Sequence, residues 1–195
     1  CTWRNHTGSA GRCARSLARP SPHLMSPSAR VVTSARTFGG AGQAKLVSWS
    51  GGEWYSASLV PDGSGTFDLS GLARVDLDPV AAGVQNVPGG PEGFVYIAGG
   101  NAGFAANAML ISEYSAGTVG AYALDALGNP LVSTRRTFLS GLTGAEGAMI
   151  DPLTGDFLFS TFGGGSRVVR VSGFTVPLEP TPVPPVDPQP PVTAV

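Results

Sequence analysis

Short apolar runs rich in β-branched and aromatic residues recur along the middle of the chain: Leu46 to Trp49, Trp54 to Val60, Ala73 to Leu77, Phe94 to Ala98, Met109 to Tyr114, Thr118 to Leu124, Asp156 to Phe162 and Arg167 to Phe174. Each is bounded by Gly, Pro, Asn or Asp, and runs of this length and make-up are strands rather than helices. Between them, Ser115-Ala116-Gly117, Gly128-Asn129-Pro130, Pro152-Leu153-Thr154-Gly155 and Gly163-Gly164-Gly165-Ser166 supply positive-φ or proline-fixed turn positions. Such turns join consecutive strands antiparallel, so the pattern predicts an all-β meander.

The meander repeats. Gly90-Pro91-Glu92-Gly93 recurs as Gly144-Ala145-Glu146-Gly147, 54 residues on, each time leading into an apolar strand. Leu110-Ile111-Ser112-Glu113-Tyr114 recurs as Leu158-Phe159-Ser160-Thr161-Phe162, 48 residues on, each time followed by a small-residue turn and a Val-containing strand. The change of offset assigns a longer loop, Ala98 to Ala108, to the first copy. A period of about 40–50 residues with several strands per unit is the mark of propeller blades.

The ends differ from this body. Residues 1–36 hold both cysteines, both histidines and six of the 11 arginines, with no sustained period, and are expected to be a disordered basic segment. Residues 175–195 hold eight of the 17 prolines and form a Pro-rich tail or spacer, leaving residues 37–174, with 26 of the 28 glycines, as the blade domain.

Charge follows the same division. Although the formal net charge is −1, residues 1–52 carry seven basic residues and no acid, whereas the rest carries 13 acids against five arginines. The acidic body argues against wrapping a phosphate backbone, and the N-terminal arginines lack the interleaved aromatics that stack bases, so no nucleic-acid partner is expected. No run of about 18 apolar residues spans a membrane.

The segments GPEGFVYIAGG, MLISEYSAGTVGAYALDALGNPL and TFLSGLTGAEGAMIDPLTGDFLFSTFGGGSRVVRVSGF resemble the last blades of secreted bacterial β-propeller proteins that carry a PEP-CTERM sorting signal. The likeness covers roughly residues 37–174 and is strongest over the final 40 or so. More distantly, the chain is similar to NHL-repeat and gluconolactonase-type propellers, in which a Glu-Gly pair opens a blade. The resemblance implies a six-bladed or similar propeller, export, and association with the cell surface or exopolysaccharide, with no common chemistry. Two departures stand out. About 138 residues hold only about three blades, so the chain is expected to be a fragment, closing a ring only if copies associate. The tail carries Leu178-Glu179-Pro180 in place of Pro-Glu-Pro, without the hydrophobic helix and basic cluster of a sorting signal.

Glu92 and Glu146 are the candidate metal ligands. Propellers bring equivalent blade positions round a central channel, where carboxylates can share Ca²⁺ or another divalent cation. In the gluconolactonase-like relatives such a site activates a lactone carbonyl or water. The alternative is that each Glu accepts hydrogen bonds from turn amides and fixes the start of its blade. Asp62, Ser64, Thr66 and Asp68 alternate as in a calcium loop, but Phe67 and Ala73 stand where that loop needs Gly and Glu, so a hairpin turn is expected. Asp151 to Asp156 reads as a turn in which an Asp side chain closes its own backbone. Gly39 to Lys45 lacks the Gly-Lys-Ser/Thr of a phosphate loop, and no Gly-x-Ser-x-Gly elbow exists. Neither His6 nor His23 falls in the domain to serve a nucleophile as base. Cys1 and Cys13 can pair in an oxidising compartment but form no zinc or redox motif. Trp49, Trp54 and Tyr55 either line a carbohydrate face or pack between blades, with packing favoured.

These readings converge on an all-β, partial β-propeller of about three blades from an exported bacterial protein. Its expected role is a non-catalytic surface or matrix module with a polysaccharide or surface-protein partner. A metal-dependent lactonase or hydrolase using Glu92 and Glu146 is the alternative, and a protein-interaction scaffold that self-associates through open blade edges is a third.

Overall fold

A computed structural model describes residues 32–33, 38–78, 80 and 82–175. The two cysteines, the two histidines and almost all of the Pro-rich tail, with the disorder expected of both ends, lie outside the described residues. The described chain is all-β, with three antiparallel sheets and a 3-10 turn at Val132–Thr134.

Sheet 1 runs β1 (Val32–Thr33), β2 (Gln43–Val47), β3 (Trp54–Pro61) and β4 (Phe67–Val75) in chain order. Sheet 2 runs β5 (Pro91–Ile97), β6 (Ala108–Glu113), β7 (Thr118–Ala123) and β8 (Arg136–Leu139), again in order. Sheet 3 comprises β9 (Ala145–Ile150), β10 (Phe157–Thr161) and β11 (Val168–Val171), with β10 central. Every connection is therefore between neighbours, as the turn residues predict.

Alternation along the strands explains how the sheets stack. In sheet 2, Phe94, Tyr96, Met109, Ile111 and Tyr122 join Val47 and Trp54 of sheet 1 in one core, where the Trp54 and Phe94 rings lie 4.9 Å apart. The intervening residues Ile97, Ala108, Leu110, Val119 and Ala121 point the other way and join Phe157 and Phe159 of sheet 3. Sheet 2 is thus covered on both sides, which is why all six residues of β6 are buried and Ala108–Ile111 read as a continuous apolar run. At roughly 25 cal/mol per Å² of apolar surface removed from water, these two cores hold the stack together.

Three elements depart from the sequence pattern. Val32–Thr33, inside the stretch expected to lack packed elements, pairs with Ala44 and Lys45 and satisfies the backbone edge of β2. β4 begins at Phe67 rather than Ala73, because the turn over Asp62 to Thr66 folds the chain straight back on β3. β8 is four residues long and opens on Arg136, too short a signal to read as a strand, yet Phe138 and Leu139 pack against the second core. Among the described residues no helix is long and apolar enough to cross a membrane.

Candidate functional site

Turn glycines clip one sheet to the next. After β2, the carbonyl of Gly52 accepts a hydrogen bond from Val87 N at 2.9 Å, just before sheet 2 begins. After β6, the carbonyl of Gly117 accepts from Leu142 N at 3.0 Å, just before sheet 3 begins. Both glycines hold positive φ, 68° and 64°, and a Cβ added to either would lie within 2.2 Å of its partner's carbonyl oxygen. Only glycine fits such a position. A second bond then closes each new sheet on itself: Tyr114 N donates to Gly90 O at 2.8 Å, and Phe162 N donates to Gly144 O at 2.9 Å. The two Glu-Gly steps therefore begin on equivalent backbone clips.

Glu92 and Glu146, both half-buried, occupy the second positions of β5 and β9, and these two strands touch. The contact is close: a Cβ on Gly93 would sit 2.3 Å from the carbonyl oxygen of Glu146 and 2.9 Å from Ala148 N. The two expected ligands thus lie on touching strands of different sheets. Among the described residues no group of three His, Cys, Asp or Glu side chains gathers as a metal site.

A buried acid that the sequence reading passed over lies on β6, the strand paired directly with β5. Glu113, at the end of β6, is fully buried. Its carboxylate accepts from Arg135 Nε at 2.8 Å and Nη2 at 2.5 Å, from Tyr122 Oη at 2.5 Å and from the Thr118 hydroxyl. Burial is the largest single influence on this carboxyl and pushes its pKa up. The hydrogen bonds from Arg135, Thr118 and Tyr122, with the Arg135 charge, together outweigh it and hold the group below the ordinary glutamate value. Burial and the bond to Glu113 raise the Tyr122 phenol far above its usual range. The group fastens β6 to β7 and to Arg135, just before β8.

The second hidden polar group is Lys45, fully buried on β2. Its Nζ donates to Gln43 Oε1 at 2.7 Å, Asn129 Oδ1 at 2.9 Å and Ser56 Oγ at 3.1 Å. Asn129 Oδ1 also accepts from Trp54 Nε1 at 3.0 Å, while its amide donates to Asp125 Oδ2 at 2.9 Å. Burial lowers the lysine pKa, and the charge of Asp125 partly restores it. Asn129, on the loop after β7, thereby ties sheet 1 to sheet 2. Asn129→Ala strips both Lys45 and Trp54 of an acceptor and should cost about 2–3 kcal/mol. Lys45→Met leaves Asn129 bonded to Trp54 and Gln43 bonded to Ser56 at 2.9 Å, and should change stability by less than about 1 kcal/mol. Urea melts of the two variants check this order.

On the surface, Asp62 closes the β3–β4 hairpin, accepting from Ser64 N at 2.8 Å, Ser64 Oγ at 2.9 Å, Thr66 N at 3.2 Å and the Thr66 hydroxyl. The Thr66 hydroxyl and the Ser64 groups hold its pKa down to about 2. The calcium-like spacing is a hairpin turn, as expected. Asp151 Oδ1 likewise accepts from Leu153 N at 2.8 Å and closes its own turn. Of the aromatic trio, Trp54 packs between sheets and Tyr55 is half-buried, while Trp49 is partly exposed, edge-on to Tyr114 with ring centroids 6.1 Å apart. A shallow recess of about 180 Å³ lies between the Gly103–Ala108 loop and β7. Arg136 crosses it, donating to Gly103 O at 2.9 Å with its guanidinium 5.1 Å from the centre of the Phe104 ring.

No family model, curated protein or solved structure matches this chain.

Proposed function

We propose that the chain is a non-catalytic module of the β-propeller class, exported to the cell surface or extracellular matrix, with a polysaccharide or surface protein as its partner. The observation that carries this reading is the repeated clip, Gly52 to Val87 and then Gly117 to Leu142, which stacks successive meanders by one rule. It supports successive blades, and the bonds from Tyr114 N to Gly90 O and from Phe162 N to Gly144 O give the Glu-Gly steps a structural task. The buried ionisable groups fit the same reading, because Lys45 and Glu113 are engaged by structural partners. The Trp49 and Tyr114 pair supplies an aromatic surface of the kind that sugar rings stack on. Co-sedimentation with purified exopolysaccharide tests the proposal: the protein should be retained, and Trp49→Ala should release most of it. Failure to bind any acidic or neutral polysaccharide would count decisively against a matrix role.

One observation favours a second reading, a metal-dependent lactonase or hydrolase: the contact of Gly93 with Glu146 O sets the two Glu-Gly steps side by side. A cation held there binds only the folded chain and raises its melting temperature. The matrix reading predicts no calcium-dependent rise, whereas a rise abolished by Glu146→Gln would transfer support to the enzyme.

A further inference from the structure

The loop that the first repeat has and the second lacks forms one wall of the recess beside β7. β5 and β6 are joined across residues 98–107, whereas β9 and β10, their counterparts in sheet 3, are joined by the shorter turn over residues 151–156. The extra length is pinned by its own bonds: Gly99 N donates to Asn107 Oδ1 at 2.9 Å, Gly100 N to Phe104 O at 2.8 Å and Phe104 N to Asn101 O at 2.9 Å. Phe104 is buried, with the rings of Phe138, Phe157 and Phe174 at 5.9, 6.3 and 6.3 Å. A wall fixed in this way loses little freedom when something binds against it.

Of the residues that line the recess, Arg136 alone is charged, and five are alanines: Ala105, Ala106, Ala108, Ala121 and Ala123. The neighbouring Arg135 is engaged by Glu113, but among the described residues no carboxylate pairs with Arg136. Its bond to Gly103 O and its place over the Phe104 ring orient the guanidinium and occupy one Nη2 hydrogen. Nε and Nη1 keep their donors, in the planar geometry that grips both oxygens of a carboxylate. At about 180 Å³ the recess is smaller than the roughly 300–1,000 Å³ of sites for larger organic ligands, and it suits a single ring.

We propose that this recess binds one uronic-acid residue of an acidic polysaccharide, with Arg136 holding the sugar carboxylate and the alanines receiving the apolar face of the ring. The inference rests on the polysaccharide reading above and narrows it to acidic chains. A sugar acid carries its carboxylate directly on the ring, so one residue meets the cation and covers the alanines together. A carboxylate on a flexible peptide side chain would meet Arg136 and leave the alanines uncovered.

Nuclear magnetic resonance titration of the full chain with the disaccharide of galacturonic acid tests it, beside the methyl ester of that disaccharide and a short glutamate-containing peptide. Amides of residues 103–108 and the Arg136 Nε signal should shift and saturate with the acid. The ester on wild type, and the acid on Arg136→Gln, should each bind at least about tenfold more weakly. Arg136→Lys keeps the charge without the fork and should not restore the affinity. The ester comparison uses the intact wild-type chain, so it stands even where a variant folds poorly. No shift in the loop, equal binding of acid and ester, or a peptide that binds as tightly as the sugar would overturn the proposal. Co-sedimentation separates its failure from that of the matrix reading: acidic polysaccharide retained equally by wild type and Arg136→Gln removes the recess alone, and no polysaccharide retained at all removes both.

Discussion

Glu113→Ala should lower the thermal midpoint by roughly 10 °C, the consequence of losing about 3 kcal/mol in a domain of this size. The carboxylate is fully buried and receives both nitrogens of an Arg135 fork, a phenol and a hydroxyl. Its removal leaves the buried Tyr122 hydroxyl and part of Arg135 without partners. The cost of stranding such groups exceeds the net worth of the bonds themselves. Glu113→Gln separates charge from shape. Because the folded carboxyl titrates below its unfolded value, the stability it contributes is complete above the unfolded carboxylate range, near pH 4.3, and is lost as pH falls through the folded value. Melting temperatures measured from neutral to acid pH should therefore fall less steeply for Glu113→Gln than for wild type. Parallel curves would show that the Arg135 pair contributes no pH-dependent stability.

Gly93→Ala should cost about 2–3 kcal/mol and loosen sheet 2 from sheet 3. The added methyl meets only backbone: Glu146 O at 2.3 Å, Ala148 N at 2.9 Å and the Gly147 carbonyl carbon at 3.1 Å. No flexible side chain can move aside, so β5 and β9 must separate and the Phe157 and Phe159 core must open with them. Hydrogen exchange localises the effect. Amides of β9 and β10 should lose protection while the β2–β3 ladder keeps it, and uniform loss across all three sheets would place the strain elsewhere.

The comparison of these two sites shows what a linear pattern carries. Strands packed between two sheets, such as β6, announce themselves as unbroken apolar runs, and the glycine turns that join them are equally plain. The recurrence of Gly90 to Gly93 at Gly144 to Gly147 was legible too. What the repeat accomplishes was not, because its bonds join backbone atoms such as Gly90 O and Tyr114 N, which have no side-chain signature. Lys45 and Asn129 lie 84 residues apart and meet only through the stacking of sheets 1 and 2. Glu113 closes an apolar run and looks like an ordinary strand end, yet Arg135, 22 residues on, turns it into a buried anchor. The signal available for it was weak: an acid directly following five small or apolar positions and facing a lone arginine pair.

If the acids of this protein serve its scaffold and its surface a matrix partner, polysaccharide binding needs neither Glu92 nor Glu146 nor a cation. Polysaccharide co-sedimentation of wild type and of the Glu92→Gln/Glu146→Gln variant, each with and without EDTA, tests that claim most directly. Equal retention in all four samples is the predicted result. Binding that disappears on chelation, and that the double variant lacks even with calcium present, would contradict it and place a working cation between the two Glu-Gly steps.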